Sequence, residues 1–375
     1  MECPPIYRLP QDTFHMIFLS LPLRQILICR SVSKPFHQLL TSPSFLSLLS
    51  SRPPLSLLAL RPSHHHHSRH RHSLSTYGPT TFSLLAFDIS TNFWLRFDLS
   101  YLPYYSISPV TSTLGLVYLW ANSARAPEAP KSLVVCNPLT RSYRVLPQLG
   151  SAWSKHGSVL SGSGNRIVVI TELATLYFNG SGSVMKYWMK FSSNLPSKPR
   201  SPVIMANRLY ALCDLGSPWR SVWKLFTCDL PVSEVRTAKL GWSRVERSEW
   251  GDVFDILKRP RLVKGVENKL LMVGGLKSSF SLTAPCSTIL ILRLDLVSLA
   301  WDEAGRMPLD MYRCFLESSK FKVFGGGDKV CFSAKRVGKL ALWDCGEWRW
   351  IDGAPGFGDG VYRGFMFDAR LDAIP

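Results

Sequence analysis

Between Leu9 and Leu40 the apolar residues recur every three or four positions; beyond Thr81 they fall into short β-type runs. Phe14, Ile17, Phe18 and Leu21 line one face of a first predicted helix, with Asp12 placed ahead of them to cap it. Leu21-Pro22-Leu23 ends that helix and opens a second, because proline suits a helix start and not its interior. Ile26, Leu27, Arg30 and Ser31 share a face of the second helix. Lys34-Pro35-Phe36 opens a third, with Phe36, Leu39 and Leu40 inward. Three short helices in about forty residues cannot enclose this much Leu, Ile and Phe, so the surplus apolar surface is expected to meet a partner.

From Ser50 to Thr81 the residues turn to Ser, Pro and His, with one apolar island from Leu55 to Leu60. The stretch 50–81 reads as a connector whose island packs on a neighbouring domain. Its histidines, His64 to His67 with His70 and His72, lack the fixed geometry and second-shell support of a metal site, so no metal is expected there.

The β-type part carries a repeat. Asp88 is followed six residues later by Trp94, Asn137 by Tyr143, Asp295 by Trp301 and Asp344 by Trp350. Each Asp or Asn ends an apolar run and each aromatic begins the next, which predicts hairpins whose turns are capped by the Asx side chain. Asp88 to Asn137 and Asp295 to Asp344 each span 49 residues. An upstream strand also recurs after Asn or Asp and a base, as in Asn165-Arg166, Asn207-Arg208, Asn268-Lys269 and Asp328-Lys329. Units near fifty residues with a glycine pair, Gly274-Gly275, resemble kelch repeats. Complete units fall near 114–147, 165–191, 207–246, 268–304 and 328–353, the boundaries between 150 and 250 being the least marked. Two halves remain, Phe82 to Phe97 and Tyr362 to Asp368. Each alone would leave an open strand edge, so together they predict a sixth blade sewn from both ends of the domain 82–375. The twelve Trp fit packing between blades.

Charge changes the picture little. The net charge of +18 is spread, with +6 in residues 1–72 and +12 beyond. An acidic protein partner accounts for it through steering, and no recognition helix or zinc pattern argues for nucleic acid. No 18-residue uncharged apolar run predicts a membrane span, and the start MECPPIYRLPQD lacks the pattern of a signal peptide. Nine scattered cysteines without C-x-x-C read as thiols of a reducing compartment, cytoplasm or nucleus. No G-x-S-x-G, H-E-x-x-H, P-loop or Rossmann glycine pattern occurs. Gly325-Gly326-Gly327-Asp328 precedes a short strand and not a helix, so it reads as a turn. No catalysis and no cofactor are expected. Loops that set aromatics beside bases, Trp219-Arg220, Arg313 and Tyr362-Arg363, are the candidates for holding a target protein.

The order Leu9-Pro10, Asp12, Ile17-Phe18, Leu21-Pro22, Leu27, Arg30, Val32, Lys34, Phe36, Leu39 and Pro43-x-Phe45 resembles an F-box. With Leu133-Val-Val-Cys-Asn137-Pro138-Leu139-Thr140 and Tyr362-Arg-Gly-Phe365-Met-Phe-Asp368, the whole chain resembles the plant F-box/kelch-repeat proteins, in the subgroup that includes Unusual Floral Organs. The resemblance implies a three-helix F-box in residues 1–49, followed by a mainly β, kelch-type propeller of six blades. It also implies docking on a Skp-type adaptor, and through it a cullin and a RING subunit of a ubiquitin ligase, by Leu9, Pro10, Ile17, Phe18, Leu21, Pro22, Leu23, Ile26, Leu27, Arg30, Val32, Lys34, Phe36 and Leu39. The propeller would then hold an unidentified protein for ubiquitylation; the alternative is a scaffold or transcriptional co-regulator that binds without degrading.

Overall fold

Proline sets where the first helices start. Helix α1 (Gln11–Ser20) follows Pro10 and α2 (Leu23–Val32) follows Pro22, each proline extended with ψ 150°. Asp12 is therefore not the cap; it lies in the first turn of α1, where its charge still complements the helix dipole. Ser33 caps α3 (Lys34–Thr41), its Oγ accepting from the Phe36 amide at 3.3 Å. The same device recurs at Ser42, which accepts from the Phe45 amide and starts a fourth helix, α4 (Pro43–Ser50). The module thus has four helices where the sequence reading expected three. The computed structural model describes residues 9–61, 82–123, 129–180, 187–217, 219–231, 241–278, 286–316, 321–354 and 361–375.

The rest of the chain is a six-blade β-propeller of four-stranded antiparallel sheets. The apolar island is not connector but strand β1 (Leu55–Arg61), followed by β2 (Ser83–Asp88) and β3 (Phe93–Asp98). Blade two is β4 (Tyr104–Thr113), β5 (Leu116–Ser123), β6 (Ser132–Asn137) and β7 (Ser142–Val145). After a short helix α5 (Ser151–His156), blade three is β8 (Ser158–Gly162), β9 (Arg166–Ile170), β10 (Ala174–Asn179) and β11 (Met189–Ser192). Blade four is β12 (Arg200–Met205), β13 (Arg208–Asp214), β14 (Trp223–Asp229) and β15 (Ser243–Val245). Blade five is β16 (Leu257–Lys264), β17 (Lys269–Lys277), β18 (Cys286–Asp295) and β19 (Trp301–Arg306). Helix α6 (Leu309–Leu316) leads to blade six, β20 (Phe321–Gly326), β21 (Lys329–Ala334), β22 (Leu340–Asp344) and β23 (Glu347–Ile351). The last strand, β24 (Arg363–Ala369), returns to blade one, whose order is β24-β1-β2-β3.

Blade one therefore takes three strands from the front of the chain and one from the back. Leu57, Leu58, Ala59 and Leu60 pair with Phe367, Met366, Phe365 and Gly364. Closure by both ends was legible; the seam lies one strand earlier than the expected start at Phe82, because Leu55–Leu60 supplies the missing partner of β24. The innermost strands β24, β4, β8, β12, β16 and β20 neighbour one another in a closed ring. Those of blades two to six all lie upstream of the units drawn from sequence, and their composition explains why. Pro109, Pro202 and Pro260 sit in β4, β12 and β16, with register shifts beside each. An innermost strand has one free edge, where proline needs no ladder partner and bulges are tolerated.

The Asx turns form at three of the four hairpins. Asp88 Oδ1 accepts from the Ser90 amide at 2.9 Å, Asn137 Oδ1 from Leu139 at 2.9 Å and Asp295 Oδ1 from Val297 at 2.8 Å. The fourth differs. Asp344 pairs directly with Glu347 across a two-residue turn in which Cys345 and Gly346 both have positive φ. Trp343 then faces Trp348, and Trp350 lies further along, opposite Ala341. The histidines between 64 and 72 lie outside the described residues.

Candidate interaction surfaces

The core of the helical module is aromatic. Phe14, Phe18, Ile26, Leu40 and Phe45 are buried together, and the Phe36 ring stands edge-on to Phe14 at 5.8 Å and Phe18 at 5.2 Å. Leu21, Leu23, Leu27 and Leu39 pack against this core, half buried. Phe18 and Ile26, expected on a docking face, are core residues; Ile26 is 0% exposed. Their positions follow from the helical period, which turns them inward once α3 and α4 cover α1 and α2. Arg30 is half buried, its Nε has no hydrogen-bond partner among the described residues, and desolvation lowers its pKa.

What remains outside is a set of large apolar side chains. Leu9, Pro10, Ile17, Pro22 and Val32 are exposed, as is Lys34. Met16 and Ile28 join them, and the sequence reading missed both. Ile28 stands four residues before Val32, which at 64% exposure is bare for a β-branched apolar residue, so the two share one face of α2. That spacing was the available signal.

The module is fixed to the propeller by the end of the chain. Leu371, just past β24, is buried in the helical core. Arg370 donates from Nη2 to the Ser50 carbonyl at 3.0 Å and pairs with Asp372. Arg52 donates to the Leu21 carbonyl at 2.9 Å, and the Arg24 guanidinium lies 4.9 Å from the centre of the Phe93 ring. Leu139, on the turn after β6, packs against both the helical core and blades one and two. All these contacts use one face of the ring, the face to which β24 runs.

The other face carries the target candidates. Four antiparallel strands return the chain to the side it left, so every inner strand starts on the face away from the helices. The β13–β14 loop, helix α6 and the start of β24 all lie at that end. Trp219 is 82% exposed, and Arg220 beside it lies 3.9 Å from Asp255. Arg313 and Arg363 are exposed as well. Tyr362 is not available: it is 2% exposed within the packing of blades one and six, its amide donating to Ser333 Oγ at 2.7 Å. Among the described residues no group of His, Cys, Asp and Glu is arranged to hold a metal ion, and no helix is long and apolar enough to cross a membrane.

A four-helix module with exposed apolar side chains, locked onto one face of a six-blade ring, defines an F-box propeller protein. Residues 6–48 match the F-box domain. The chain is similar from end to end to SKP1-interacting partner 15 of Arabidopsis thaliana, 60% identical over 378 residues and covering 100% of both chains. It belongs to that family of plant F-box proteins. A putative F-box protein of the same plant is 30% identical over 147 residues, 37% of this chain and 33% of that one. Among solved structures, the β-propeller domain of the Trilobed protease from Pyrococcus furiosus aligns over 71% of this chain and 73% of its own, at 11% identity and TM-score 0.40. At that distance it adds nothing to what the strand order shows.

Proposed function

We propose that the protein is the substrate-recognition subunit of a Skp–cullin–F-box ubiquitin ligase. Its F-box docks on a Skp-type adaptor, which joins it to the cullin and RING subunits, while the propeller holds a target protein. The observation that carries this reading is the exposure of the apolar side chains Ile17, Ile28 and Val32 on a module whose own core is complete without them. The full-length relative named as a SKP1-interacting partner supports the same adaptor. Catalysis then belongs to the recruited conjugating enzyme, and this chain contributes orientation and effective concentration.

The propeller is of kelch type in this reading, and the Unusual Floral Organs subgroup remains the proposed nearer kin. The glycine pair in β17 has a packing reason: a Cβ on Gly275 would stand 2.5 Å from Cys286 Sγ, and one on Gly274 3.0 Å from the Leu257 Cβ. The eight described cysteines are all free, which supports a reducing location in cytoplasm or nucleus.

The test is a pull-down of the full chain with a purified Skp-type adaptor, beside a Val32→Asp variant. Capture of the wild type and loss with the variant is the expected result. Equal capture of both, or of neither from folded protein, overturns the reading.

A further inference from the structure

The mouth of the ring on the face away from the F-box gathers arginines that have no counter-charge among the described residues. Arg363 opens the inner strand β24 and stands opposite Arg61, the last residue of β1, as its register partner. Arg61 reaches across to blade two, where its Nη2 donates to the Val110 carbonyl, and its guanidinium lies 5.9 Å from the centre of the Phe365 ring. Among the described residues the Arg61 Nε is buried without a hydrogen-bond partner. Arg261, on the inner strand of blade five, likewise has a buried Nη1 with no partner. So has the Nε of Arg200, at the start of the inner strand of blade four, whose guanidinium lies 4.9 Å from the Trp223 ring.

Among the described residues none of these four forms an ion pair. Other arginines of the propeller do, as Arg208 with Asp229 and Arg293 with Asp302 show. Burial, and behind it the charge of Arg363, lowers the Arg61 pKa to about 10 and also lowers that of Arg261. A Cβ on Gly326 of β20 would lie 3.4 Å from the Met366 side chain of β24 and 3.8 Å from the Lys264 carbonyl of β16, so Arg363 and Arg261, each three residues earlier, stand at one level of the inner ring. Like charges held together with buried, unsatisfied donors are unfavourable unless an anion completes the set. Guanidinium groups fit the planar, two-point geometry of carboxylate and phosphate oxygens.

We propose that this mouth binds an acidic segment of the target protein, whose carboxylate or phosphate oxygens take the free donors of Arg61, Arg261 and Arg363. The inference rests on the receptor reading above and specifies the partner chemistry. It also fits the distance: β24 carries the chain about 20 Å from Arg363 to the F-box side, so a segment held here is clear of the adaptor.

The experiment uses the full chain bound to a Skp-type adaptor and measures anisotropy of three labelled peptides: Glu-rich, phosphoserine-containing and Lys-rich. The acidic peptides should bind and the Lys-rich one should not. Arg261→Ala and Arg363→Ala should each weaken acidic binding at least tenfold, while Lys190→Ala, on the outer strand of blade three, should change it less than threefold. Tighter binding of the phosphopeptide assigns phosphate as the anion; equal binding assigns carboxylate; both support the proposal. No acidic binding, or equal loss with Lys190→Ala, overturns it. Because adaptor capture is read on the same preparation, intact capture without peptide binding rejects the mouth and leaves the receptor reading standing. Failed capture rejects the receptor reading itself.

Discussion

Asn137 holds the end of the chain. Its side-chain amide donates to the Arg370 carbonyl at 3.0 Å and the Ala373 carbonyl at 2.8 Å, while its Oδ1 accepts from the Leu139 amide. One fully buried side chain thereby caps a hairpin turn of blade two and pins the segment that carries Leu371 into the F-box. Asn137→Ala should lower stability by about 1–3 kcal/mol, because two part-buried carbonyls lose a donor. Denaturant unfolding measures it. Limited proteolysis should cut first in the tail after Ala369.

Leu371→Ala should remove packing from the F-box and not from the ring. The expected cost is about 2–5 kcal/mol for the helical module. In native-state hydrogen exchange, amides of α1 to α4 should lose protection while those of β17 and β18 keep it.

Ile26 and Val32 separate folding from docking. Ile26→Ala should destabilise the F-box by about 2–5 kcal/mol, whereas Val32→Asp should shift stability by no more than about 0.5 kcal/mol, since its side chain is already in water. Calorimetry reads the first effect. Loss of adaptor capture without a change in melting reads the second.

Gly364 lets β24 enter blade one. A Cβ there would lie 2.3 Å from the Ala59 carbonyl oxygen and 2.5 Å from the Phe324 ring. Gly364→Ala must displace backbone on the closing seam, at about 1–3 kcal/mol or more. A fall in melting temperature larger than that of Gly346→Ala, whose site is open but has φ 108°, would locate the effect in the seam.

Acid should weaken the hairpin of blade five. The Asp295 carboxyl is held down to about 2, first by its hydrogen bond from Lys269 and then by the Val297 and Ser298 amides. A value depressed below the ordinary 3.8 gives stability that is complete above that pH and is lost as pH falls through about 2. In Asp295→Asn the turn is kept and the charge removed. The stability gap between the two proteins should be present at neutral pH and vanish near pH 2.

Local chemistry determined much of this protein. Prolines 22 and 35 and the period of Phe14, Phe18 and Ile26 specify short helices, and Asp88, Asn137 and Asp295 specify capped turns, because each acts on backbone within a few residues. The hairpin count, and the two unpaired halves, gave six blades closed from both ends. Three matters rested on the tertiary structure. The strand nature of Leu55–Arg61 depends on β24, more than 300 residues away, without which the island is a short apolar run in a Ser- and Pro-rich stretch. Which apolar residues of the F-box stay outside was decided when α4 and Leu371 completed its core, burying Ile26 and leaving Ile28 and Val32 in water. The arginine mouth was invisible for the same reason. Arg61, Arg261 and Arg363 are distant in sequence, and only the closing of the ring brings their charges to one opening.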